Sequence, residues 1–366
     1  MSEALLESLR RAALEGGLVG FGVCSADPFP SVKAQLEARV ADGSSGRLRF
    51  TFARPDISTD VRRTFPWAKR LVVAASSYLP SAGDPGPARP QTARIARFAV
   101  EDPYPPLREA LEKLAGMLRE AGHQAEVLVD DNRLVDRAAA VRAGVGWWGK
   151  SSMVLAPRYG PYLVLGSLAT DARLPTSQPM RRSCGSCTAC LPACPTGALV
   201  APGILDARRC LAHWAQVPGV IPIEFREPMG DRLYGCDDCL DACPPGRHLL
   251  GEVREVRRGR VDLIDLLRSA DRSLLVRFAH FYIPRRQSRY LRRNALVALG
   301  NTGGPDAVPV LAGYVGHPDP LLRIHAAWAL GRLPSAASRA ALGERLAQEH
   351  DPQVRHELQA ARAAQK

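Results

Sequence analysis

No window of this sequence approaches the ~18 consecutive apolar, uncharged residues that a membrane-spanning helix requires. A secretion signal is not expected either, because Glu15 and two glycines interrupt the apolar stretch that follows Arg10-Arg11. None of the eight histidines forms a pair with ligand spacing, which disfavours a non-haem metal site. No Ser/His/Asp arrangement is recognisable. The sequence therefore predicts a protein with no membrane partner, whose chemistry depends on other residue types.

Cysteine is concentrated in two short runs, which contain seven of the nine cysteines, and Cys210 lies between them. The first run reads Cys184-x2-Cys187-x2-Cys190-x3-Cys194-Pro195. This is the spacing of bacterial two-cluster ferredoxins, in which the fourth cysteine binds the other cluster. The second run lacks its leading cysteine at the usual distance, and Cys210 can supply it. The spacing predicts two 4Fe–4S clusters, one bound by Cys184, Cys187, Cys190 and Cys243, the other by Cys194, Cys210, Cys236 and Cys239.

Zinc sites and disulfides are the alternative interpretations of these cysteines. Zinc ribbons use paired Cys-x2-Cys knuckles with a longer gap between them, not three thiols in seven residues followed by Cys-Pro. Only Cys24 remains outside the predicted clusters, so nothing indicates a disulfide scaffold. Reduced thiols and oxygen-sensitive clusters favour a cytoplasmic location. The protein is predicted to transfer single electrons.

Acidic residues are scarce near the start of the last third of the chain. The net charge is +12, and residues 254 to 293 contain twelve arginines but four acids. A solvated helix face is the alternative interpretation of such a run. A run this one-sided on a basic protein more often binds a polyanion, and we expect nucleic acid. The candidate residues are five arginines within nine positions, Arg285, Arg286, Arg289, Arg292 and Arg293.

The order of segments predicts three domains. Residues 1–175 alternate between helix and strand, as an α/β (or α+β) domain should. Residues 176–250 are predicted to be a ferredoxin-like domain stabilised by its clusters, and residues 251–366 a helical tail. The Pro80–Pro90 stretch is expected to be a loop. Strands are predicted at 71–76, 126–129 and 162–165, and helices at 1–18, 107–118 and 134–142, with prolines at 103, 105 and 106 preventing an earlier start of the second helix.

The tail repeats with a period of 31 to 32 residues. Residues 292–300 are echoed by 323–331, and Asp319-Pro320 by Asp351-Pro352. Helix pairs joined by Pro or Gly turns at this period resemble short HEAT-like repeats. Repeated apolar positions of this kind are expected to serve packing. The tail is therefore predicted to be a docking module.

The segment from Gly144 to Ser151 matches two nucleotide-binding expressions, G-x4-G-K-[ST] and G-x-G-x-x-G. Both require a strand before the glycines and a helix after them. Here the preceding segment is predicted to be helical and the following one strand-like, so nucleotide binding is not expected. The glycines are instead expected to end a helix and to let the backbone pack closely against something flat and large. Just upstream, Asp130 and Asp131 end a predicted strand, either in a site or in a solvated turn.

These motifs together resemble the epoxyqueuosine reductase family, the cobalamin-dependent iron–sulfur enzymes of queuosine synthesis in tRNA. The resemblance covers nearly the whole chain. The stretches outside the cysteine runs make it specific, since many redox proteins share the ferredoxin pattern. They include Gly20-Phe-Gly22, residues 94–99, Val129-Asp130, Asp136-Arg-Ala138, residues 143–150 and Arg293-Asn-Ala295.

The resemblance implies that the N-terminal domain binds cobalamin in its base-off form, and the D-x-H-x-x-G pattern of base-on proteins is absent. It implies that Asp130 is a proton donor and that Lys150, Ser151 and Val154 contact the cofactor. The implied reaction reduces epoxyqueuosine to queuosine at the wobble position of tRNA, the last step of queuosine biosynthesis. An external donor would supply electrons through the two clusters, and the basic tail would bind the anticodon stem-loop. No feature requires more than a monomer.

Two stretches depart from the family pattern. The usual R-x-D-P-R reads Ser58-Thr-Asp-Val-Arg62, and R-D-Y-H reads Glu101-Asp-Pro-Tyr104. Two alternative functions remain at this point. A reductive dehalogenase-like enzyme shares cobalamin and two clusters, but usually has a twin-arginine signal and no HEAT-like tail. A non-catalytic iron–sulfur electron carrier predicts no bound corrinoid and no effect of Asp130→Asn.

Overall fold

The computed structural model describes residues 2–79, 89–250 and 259–365. The predicted Pro80–Pro90 loop, except for its last two residues, and the arginines at 254, 257 and 258 lie outside these ranges. The chain forms two compact units: Met1–Ala82 with Glu101–Cys210 and Asp237–Arg254, and Gly83–Val100 with Leu211–Cys236 and Glu255–Lys366. The domain boundaries predicted near residues 175 and 250 are based on sequence motifs, whereas these two units are defined by their compactness. The predicted boundaries therefore stay a prediction.

The strands of the described residues are short apart from those of the main sheet. Their bounds are β1 Gly20–Ser25, β2 Arg70–Ser77, β3 Thr92–Ile95, β4 Ala125–Val129, β5 Trp147–Trp148, β6 Val154–Leu155, β7 Leu163–Thr170, β8 Leu199–Ala201, β9 Ile204–Leu205, β10 Arg232–Tyr234 and β11 Arg260–Asp262.

Helices surround the main sheet in the first unit and dominate the second. Their bounds are α1 Ser2–Glu15, α2 Pro30–Ala41, α3 Pro55–Ser58, α4 Tyr104–Glu120, α5 Asp136–Arg142, α6 Cys190–Ala193, α7 Leu211–Gln216, α8 Ile223–Arg226, α9 Asp238–Asp241, α10 Pro244–Leu250, α11 Leu263–Arg268, α12 Asp271–Arg277, α13 Arg289–Thr302, α14 Val308–Val315, α15 Pro320–Arg332, α16 Ala336–Gln348 and α17 Pro352–Ala363. None of them is long and apolar enough to cross a membrane.

The first unit is built on a four-stranded sheet with the order β1-β2-β7-β4. All its pairings are antiparallel, with Val23 opposite Val72 and Val129 opposite Gly166. The predicted mixture of helices and strands is confirmed, and its arrangement is the α+β form. Every residue of β7 is buried. This central strand is therefore covered on both faces, which explains its continuous apolar run.

Helix α4 covers one face of the sheet with leucines at helical spacing. Leu107, Leu111, Leu114 and Leu118 are all fully buried. A Cβ at Gly166 would lie 2.6 Å from the Leu111 side chain, so the glycine lets the helix approach β7. The helix begins at Tyr104, three residues before the predicted start. The prediction was wrong because prolines are tolerated in the first turn, where backbone N–H groups have no intrahelical partner.

Helix α5 packs its three consecutive alanines against the other face of the four-stranded sheet. It ends at a glycine. Gly144 has φ +68°, and the N–H of Val145 donates to the Ala140 carbonyl at 2.9 Å. The helix thus ends at a glycine, as the sequence predicts, and its ending is a Schellman motif. A Cβ at Gly146 would collide with the Leu155 carbonyl oxygen. The flat surface against which this glycine packs is therefore the chain's own strand β6.

The second unit joins a small sheet to the helical tail. Its strand order is β10-β3-β11, with β10 parallel and β11 antiparallel to β3. A continuous core runs from Ala93 and Leu233 through Leu266 and Leu296 to Leu358. The tail is therefore one hydrophobic structure with the sheet of its own unit.

The repeated sequence motifs of the tail are helix caps and helix contacts. Asp319 and Asp351 cap α15 and α17: the first side chain accepts one N–H of the first turn, and the second accepts two. A Cβ at Gly300 would lie 2.8 Å from Ala329 Cα, and one at Gly331 would lie 2.9 Å from Ala361 Cα. The repeated glycines thus let α13, α15 and α17 pack closely in succession. The predicted HEAT-like helix pairs are confirmed.

Candidate active site and cluster domain

Asp130 lies where strand β4 ends. Its φ is +49°, in the left-handed region that aspartate adopts more readily than most residues. The residue reaches solvent, yet nearby protein atoms reduce the hydration of its carboxyl group. This desolvation is the main cause that raises the pKa of Asp130 above its ordinary value, and the charges of Asp136, Asp102 and Asp131 act in the same direction. A carboxyl with a raised pKa is suited to general acid catalysis.

Asp131 has the opposite electrostatic environment. Arg133 donates from Nε to Oδ1 at 2.9 Å and from its backbone N–H to the same oxygen at 2.9 Å. Burial alone would raise the pKa of Asp131, but the hydrogen bonds of Arg133 lower it overall. Asp131 is therefore held as a carboxylate. Of the two acids that follow β4, Asp130 is the one suited to hold a proton.

Two further titratable groups are close to Asp130, each at the first residue of a helix. Tyr104 begins α4, which is fixed to the end of β4 by a 3.0 Å hydrogen bond from Arg108 Nη2 to the Val129 carbonyl. Burial, followed by the charges of Asp130 and Asp136, raises the pKa of Tyr104. Asp136 begins α5, and burial raises the pKa of its carboxyl as well. Two groups within electrostatic range of Asp130 therefore also have raised pKa values.

The three residues that the resemblance predicts to contact the cofactor lie in the turn between β5 and β6 and at the start of β6. Lys150 Nζ donates to the Gly185 carbonyl at 2.7 Å, while Ser151 and Val154 are buried. Trp147 is also buried, and its Nε1 has no hydrogen-bond partner among the described residues. A buried donor without a partner is costly. The enclosed N–H of Trp147 is thus a donor without an acceptor in the described part of the chain.

The four thiols of the first predicted cluster belong to the first unit. Cys184 and Cys187 lie on a largely exposed loop, and Cys190 begins α6. Burial is the main cause that raises the pKa of Cys243 to about 11, and the charges of Cys184, Cys190 and Cys187 also raise it. Such electrostatic coupling requires neighbouring thiols. The four thiols therefore lie within electrostatic range of one another, and their assignment to one cluster stays a prediction.

Cys194 has an environment that favours the thiolate. Burial opposes ionisation, but hydrogen bonds from Thr196, Ala198 and Leu199 lower its pKa overall. The Ala198 N–H lies 3.1 Å from the sulfur. Hydrogen bonds of this type are found around iron–sulfur thiolates, where they tune the cluster potential. The second predicted set, Cys194, Cys210, Cys236 and Cys239, stays a prediction.

The five arginines expected to bind nucleic acid differ in exposure. Arg293 is fully buried and donates to the carbonyls of Val217, Gly219 and Trp214 at 2.7 to 2.8 Å. Arg292 is 8% exposed and binds Asp271. Phosphates cannot reach Arg293 in this conformation, and the hydrogen bonds of Arg292 occupy its guanidinium. Both side chains serve the internal structure of the tail.

The other three arginines reach solvent. We call them the arginine surface: Arg285, Arg286 and Arg289. Arg286 donates to the Leu275 carbonyl at 2.8 Å, and Arg289 forms a 3.2 Å ion pair with Asp319. For Arg285, no hydrogen bond or ion pair involves the guanidinium within the described part of the chain. Tyr282, three residues earlier, is 67% exposed. An exposed aromatic ring beside arginines is typical of surfaces that bind single-stranded RNA.

Sequence reasoning did not single out Tyr104, Asp136 and Trp147 as site residues. Asp136 carries a usable signal, because it follows the strand-end Asp130 by six residues and opens the next helix. The orphaned indole N–H of Trp147 depends on packing and has no counterpart in the sequence. Tyr104 was noted only as a departure from the family pattern. In the structure, Tyr104 and Asp136 lie within electrostatic range of the predicted acid.

Three family models match separate parts of the chain. Residues 59–131 match the model described as epoxyqueuosine reductase QueG, DUF1730. Residues 183–246 match a 4Fe–4S double cluster binding domain, and residues 283–362 match HEAT repeats. The double-cluster match bears out the prediction of iron–sulfur clusters over zinc.

Curated proteins and solved structures match along nearly the whole chain. The epoxyqueuosine reductase of Bacillus subtilis (strain 168) is 35% identical over 97% of this chain and 94% of its own length. That of Escherichia coli (strain K12) is 30% identical, covering 90% and 89%. A crystal structure of epoxyqueuosine reductase with an epoxyqueuosine-modified tRNA-Tyr stem loop has a TM-score of 0.89, 32% identity and 99% coverage of both chains. A B. subtilis structure, described with its catalytic aspartate loop swung out of the active site, has a TM-score of 0.88, 30% identity and 99% coverage of both.

Proposed function

The chain belongs to the epoxyqueuosine reductase family, and on this premise we propose that it reduces epoxyqueuosine to queuosine in tRNA, the last step of queuosine biosynthesis. The protein is an oxidoreductase that acts on a modified nucleoside. The observation that carries the proposal is the end-to-end similarity to a structure that holds an epoxyqueuosine-modified tRNA stem loop. The reaction would take place in the cytoplasm.

The double-cluster domain supplies the electrons. We assign one 4Fe–4S cluster to Cys184, Cys187, Cys190 and Cys243, whose thiols are electrostatically coupled. The other cluster is assigned by spacing to Cys194, Cys210, Cys236 and Cys239. Clusters of this type pass electrons singly, so an external one-electron donor is required. The enzyme is expected to work as a monomer.

Base-off cobalamin is the proposed second cofactor, and the residues of the β5–β6 turn fit it. The unpaired Nε1 of Trp147 can donate to a polar group of the corrin periphery. Ser151 and Val154 are buried, so contacts there would come mainly from the backbone, while Lys150 is held by Gly185. Cobalamin, when bound, supplies a strongly reducing metal centre for cleavage of a carbon–oxygen bond.

Asp130 is the proposed general acid of the reaction. Converting an epoxide into an alkene and water consumes two electrons and two protons. Oxygen that leaves a carbon atom must be protonated, since a bare oxide is a poor leaving group. Asp130 combines access to solvent with a raised pKa, and it lies just after a strand rather than in the core. It is the acid proposed to protonate the opened epoxide oxygen.

The arginine surface is proposed to bind the phosphate backbone of the tRNA, with Tyr282 available to stack on a base or ribose. Replacing Arg285 tests this proposal most directly, because its side chain is exposed. We expect Arg285→Ala to weaken tRNA binding and to reduce the slope of log K against log[salt] by about one, the value for one lost phosphate contact. Filter binding or fluorescence anisotropy at several salt concentrations measures both quantities.

Arg339→Ala is the matched control for Arg285→Ala. Arg339 is also exposed, lies on α16 of the same tail and changes the net charge by the same amount. It should leave the slope unchanged. Equal weakening by both variants would mean that net charge alone attracts the tRNA, and would contradict an assignment to the arginine surface.

The proposed function is tested with anaerobically purified protein that has reconstituted clusters, added cobalamin and a strong reductant. The substrate is tRNA from cells that lack their own reductase, and nucleosides are identified by mass spectrometry. We expect epoxyqueuosine to lose one oxygen atom only when cobalamin is present. Intact clusters and bound corrinoid without conversion would indicate another reducible substrate. A protein that binds no corrinoid would be an electron carrier instead.

A further inference from the structure

The segment Leu211–Cys236 ends at one thiol assigned to the second cluster and begins directly after another, Cys210. The sequence predicts that the clusters themselves hold this part of the chain together. In the structure, the segment belongs to the same compact unit as the helical tail. Side chains of α13 are hydrogen-bonded to its backbone near both ends. The tail therefore orders a segment that the metal was expected to order.

Asn294 of α13 is fully buried and connects the two ends of this segment. Its Nδ2 donates to the Ala215 carbonyl at 2.8 Å and to the Leu233 carbonyl at 2.9 Å. Ala215 lies in α7, which starts directly after Cys210. Leu233 lies in β10, which ends shortly before Cys236. One amide group thus holds together two pieces of backbone, each of them next in sequence to a predicted cluster ligand.

Arg293 fixes the orientation of the Asn294 amide. Its Nε and Nη2 donate to Asn294 Oδ1 at 3.1 and 2.9 Å. Because Oδ1 accepts these two hydrogen bonds and Nδ2 donates to two carbonyl oxygens, each polar atom of the Asn294 side chain is paired. A buried polar group whose hydrogen bonds are all formed is held in one conformation. Asn294 is therefore a rigid connection between α7 and β10.

The position of Cys236 depends on the tail as well. Its side chain packs against the apolar core that runs through the tail. Tyr234 is the last residue of β10 and stacks on Phe281, with ring centroids 4.0 Å apart. The Tyr234 hydroxyl accepts the backbone N–H of Tyr282 at 2.9 Å. The strand that leads to Cys236 is thus held through its backbone by Asn294 and through its side chains by the tail.

We propose that Asn294 is a positioning residue for the second 4Fe–4S cluster, which holds the backbone beside Cys210 and Cys236 in place before the cluster binds. The inference rests on the proposed function, because it uses the ligand set assigned there. Residues that orient metal ligands from behind raise metal affinity and tune the metal centre. A ligand segment that the protein already orders does not have to be ordered by iron, so the cluster binds more tightly.

Asn294→Asp tests the proposal, because it removes both donated hydrogen bonds and keeps the shape of the side chain. The new carboxylate can still accept from Arg293, but it repels the carbonyl oxygens of Ala215 and Leu233. We expect the reconstituted protein to lose its second cluster, so that its iron content falls from about eight to about four atoms per chain. Electron paramagnetic resonance of the reduced protein identifies the lost cluster. The missing signal should be the one that survives in Cys243→Ala, which lacks a ligand of the first cluster.

Asn301→Asp is the matched control. Asn301 also lies on α13, and its Nδ2 also donates to two carbonyls of the same segment, those of Arg226 at 2.7 Å and Gly230 at 3.0 Å. These carbonyls lie between α7 and β10 in the chain, not beside a predicted ligand. Asn301→Asp should therefore retain all its iron and both signals. Equal iron loss in the two variants would assign Asn294 to general packing, and full retention in Asn294→Asp would also overturn the proposal.

A second measurement uses wild-type protein and does not depend on whether Asn294→Asp folds. After iron is removed with a chelator, the amide hydrogens of α7 and β10 should stay protected from exchange with deuterium, because the tail orders them. Exchange as fast as in the loop that carries Cys184 and Cys187 would mean that the cluster orders the segment, and would overturn the proposal. Wild-type protein that binds both clusters but converts no epoxyqueuosine would instead contradict the proposed function.

Discussion

Replacing Asp130 with asparagine is expected to lower the turnover of epoxyqueuosine by a factor of about 10² or more, the usual scale for loss of a general acid. Asparagine is nearly isosteric with aspartate and tolerates the left-handed conformation that position 130 requires. The change therefore removes the proton without straining the turn. Single-turnover assays with nucleoside mass spectrometry measure the loss. Iron and corrinoid contents should equal those of wild type.

Asp131→Asn is the natural comparison, because it makes the same chemical change one residue away. Its carboxylate is held by Arg133 and has a lowered pKa, so it carries no proton near neutrality. We expect a much smaller effect on turnover from this variant. If Asp130→Asn reacts as fast as wild type, Asp130 is not the acid. If both variants fail alike, the loop conformation rather than the proton is responsible.

Replacing Cys243 with alanine is expected to remove one cluster and abolish turnover. The iron content should fall from about eight to about four atoms per chain, since a 4Fe–4S cluster rarely survives the loss of one of four thiolates. Cys243 is the informative choice because it lies far in sequence from Cys184, Cys187 and Cys190 yet is electrostatically coupled to all three. Iron analysis and electron paramagnetic resonance of the reduced protein measure the change.

Cys24→Ala provides the control for Cys243→Ala. Cys24 is the one cysteine that is not assigned to a cluster. It is buried against α5, and burial raises its pKa to about 12. Its loss should leave the iron content unchanged. Retention of all iron in Cys243→Ala would contradict the assigned ligand set. Iron loss in Cys24→Ala as well would indicate that reconstitution, rather than ligation, limits the iron content.

Features that depend on local chemistry could be predicted from the sequence. The cysteine spacing, the Asp-Pro helix starts of the tail and the glycine that ends α5 each satisfy a requirement within a few residues of the motif. The absence of a phosphate loop is another example, because helix α5 precedes Gly144 and strand β6 follows it. Here the order of helix and strand was enough to reject the nucleotide-binding motif that the sequence matches.

Features that depend on three-dimensional packing could not be predicted. Arg292 and Arg293 continue a run of surface arginines in the sequence, yet they point along the buried side of α13 and donate to carbonyls 20 or more positions away. A linear charge run cannot distinguish these two from Arg285. Likewise, nothing in the spacing shows that Asp136 shares an electrostatic environment with Tyr104, because the two residues belong to different helices.

The stacking of α13, α15 and α17 through Gly300 and Gly331 gives the tail a gradient of local stability. Each helix in this row is supported by its immediate neighbours, so opening can begin at α17 while α13 keeps its contacts with the sheet of its unit. Amide hydrogens should accordingly exchange with deuterium sooner in α17 than in α13. Local opening of α17 would then leave undisturbed the helix start at which Arg289 lies.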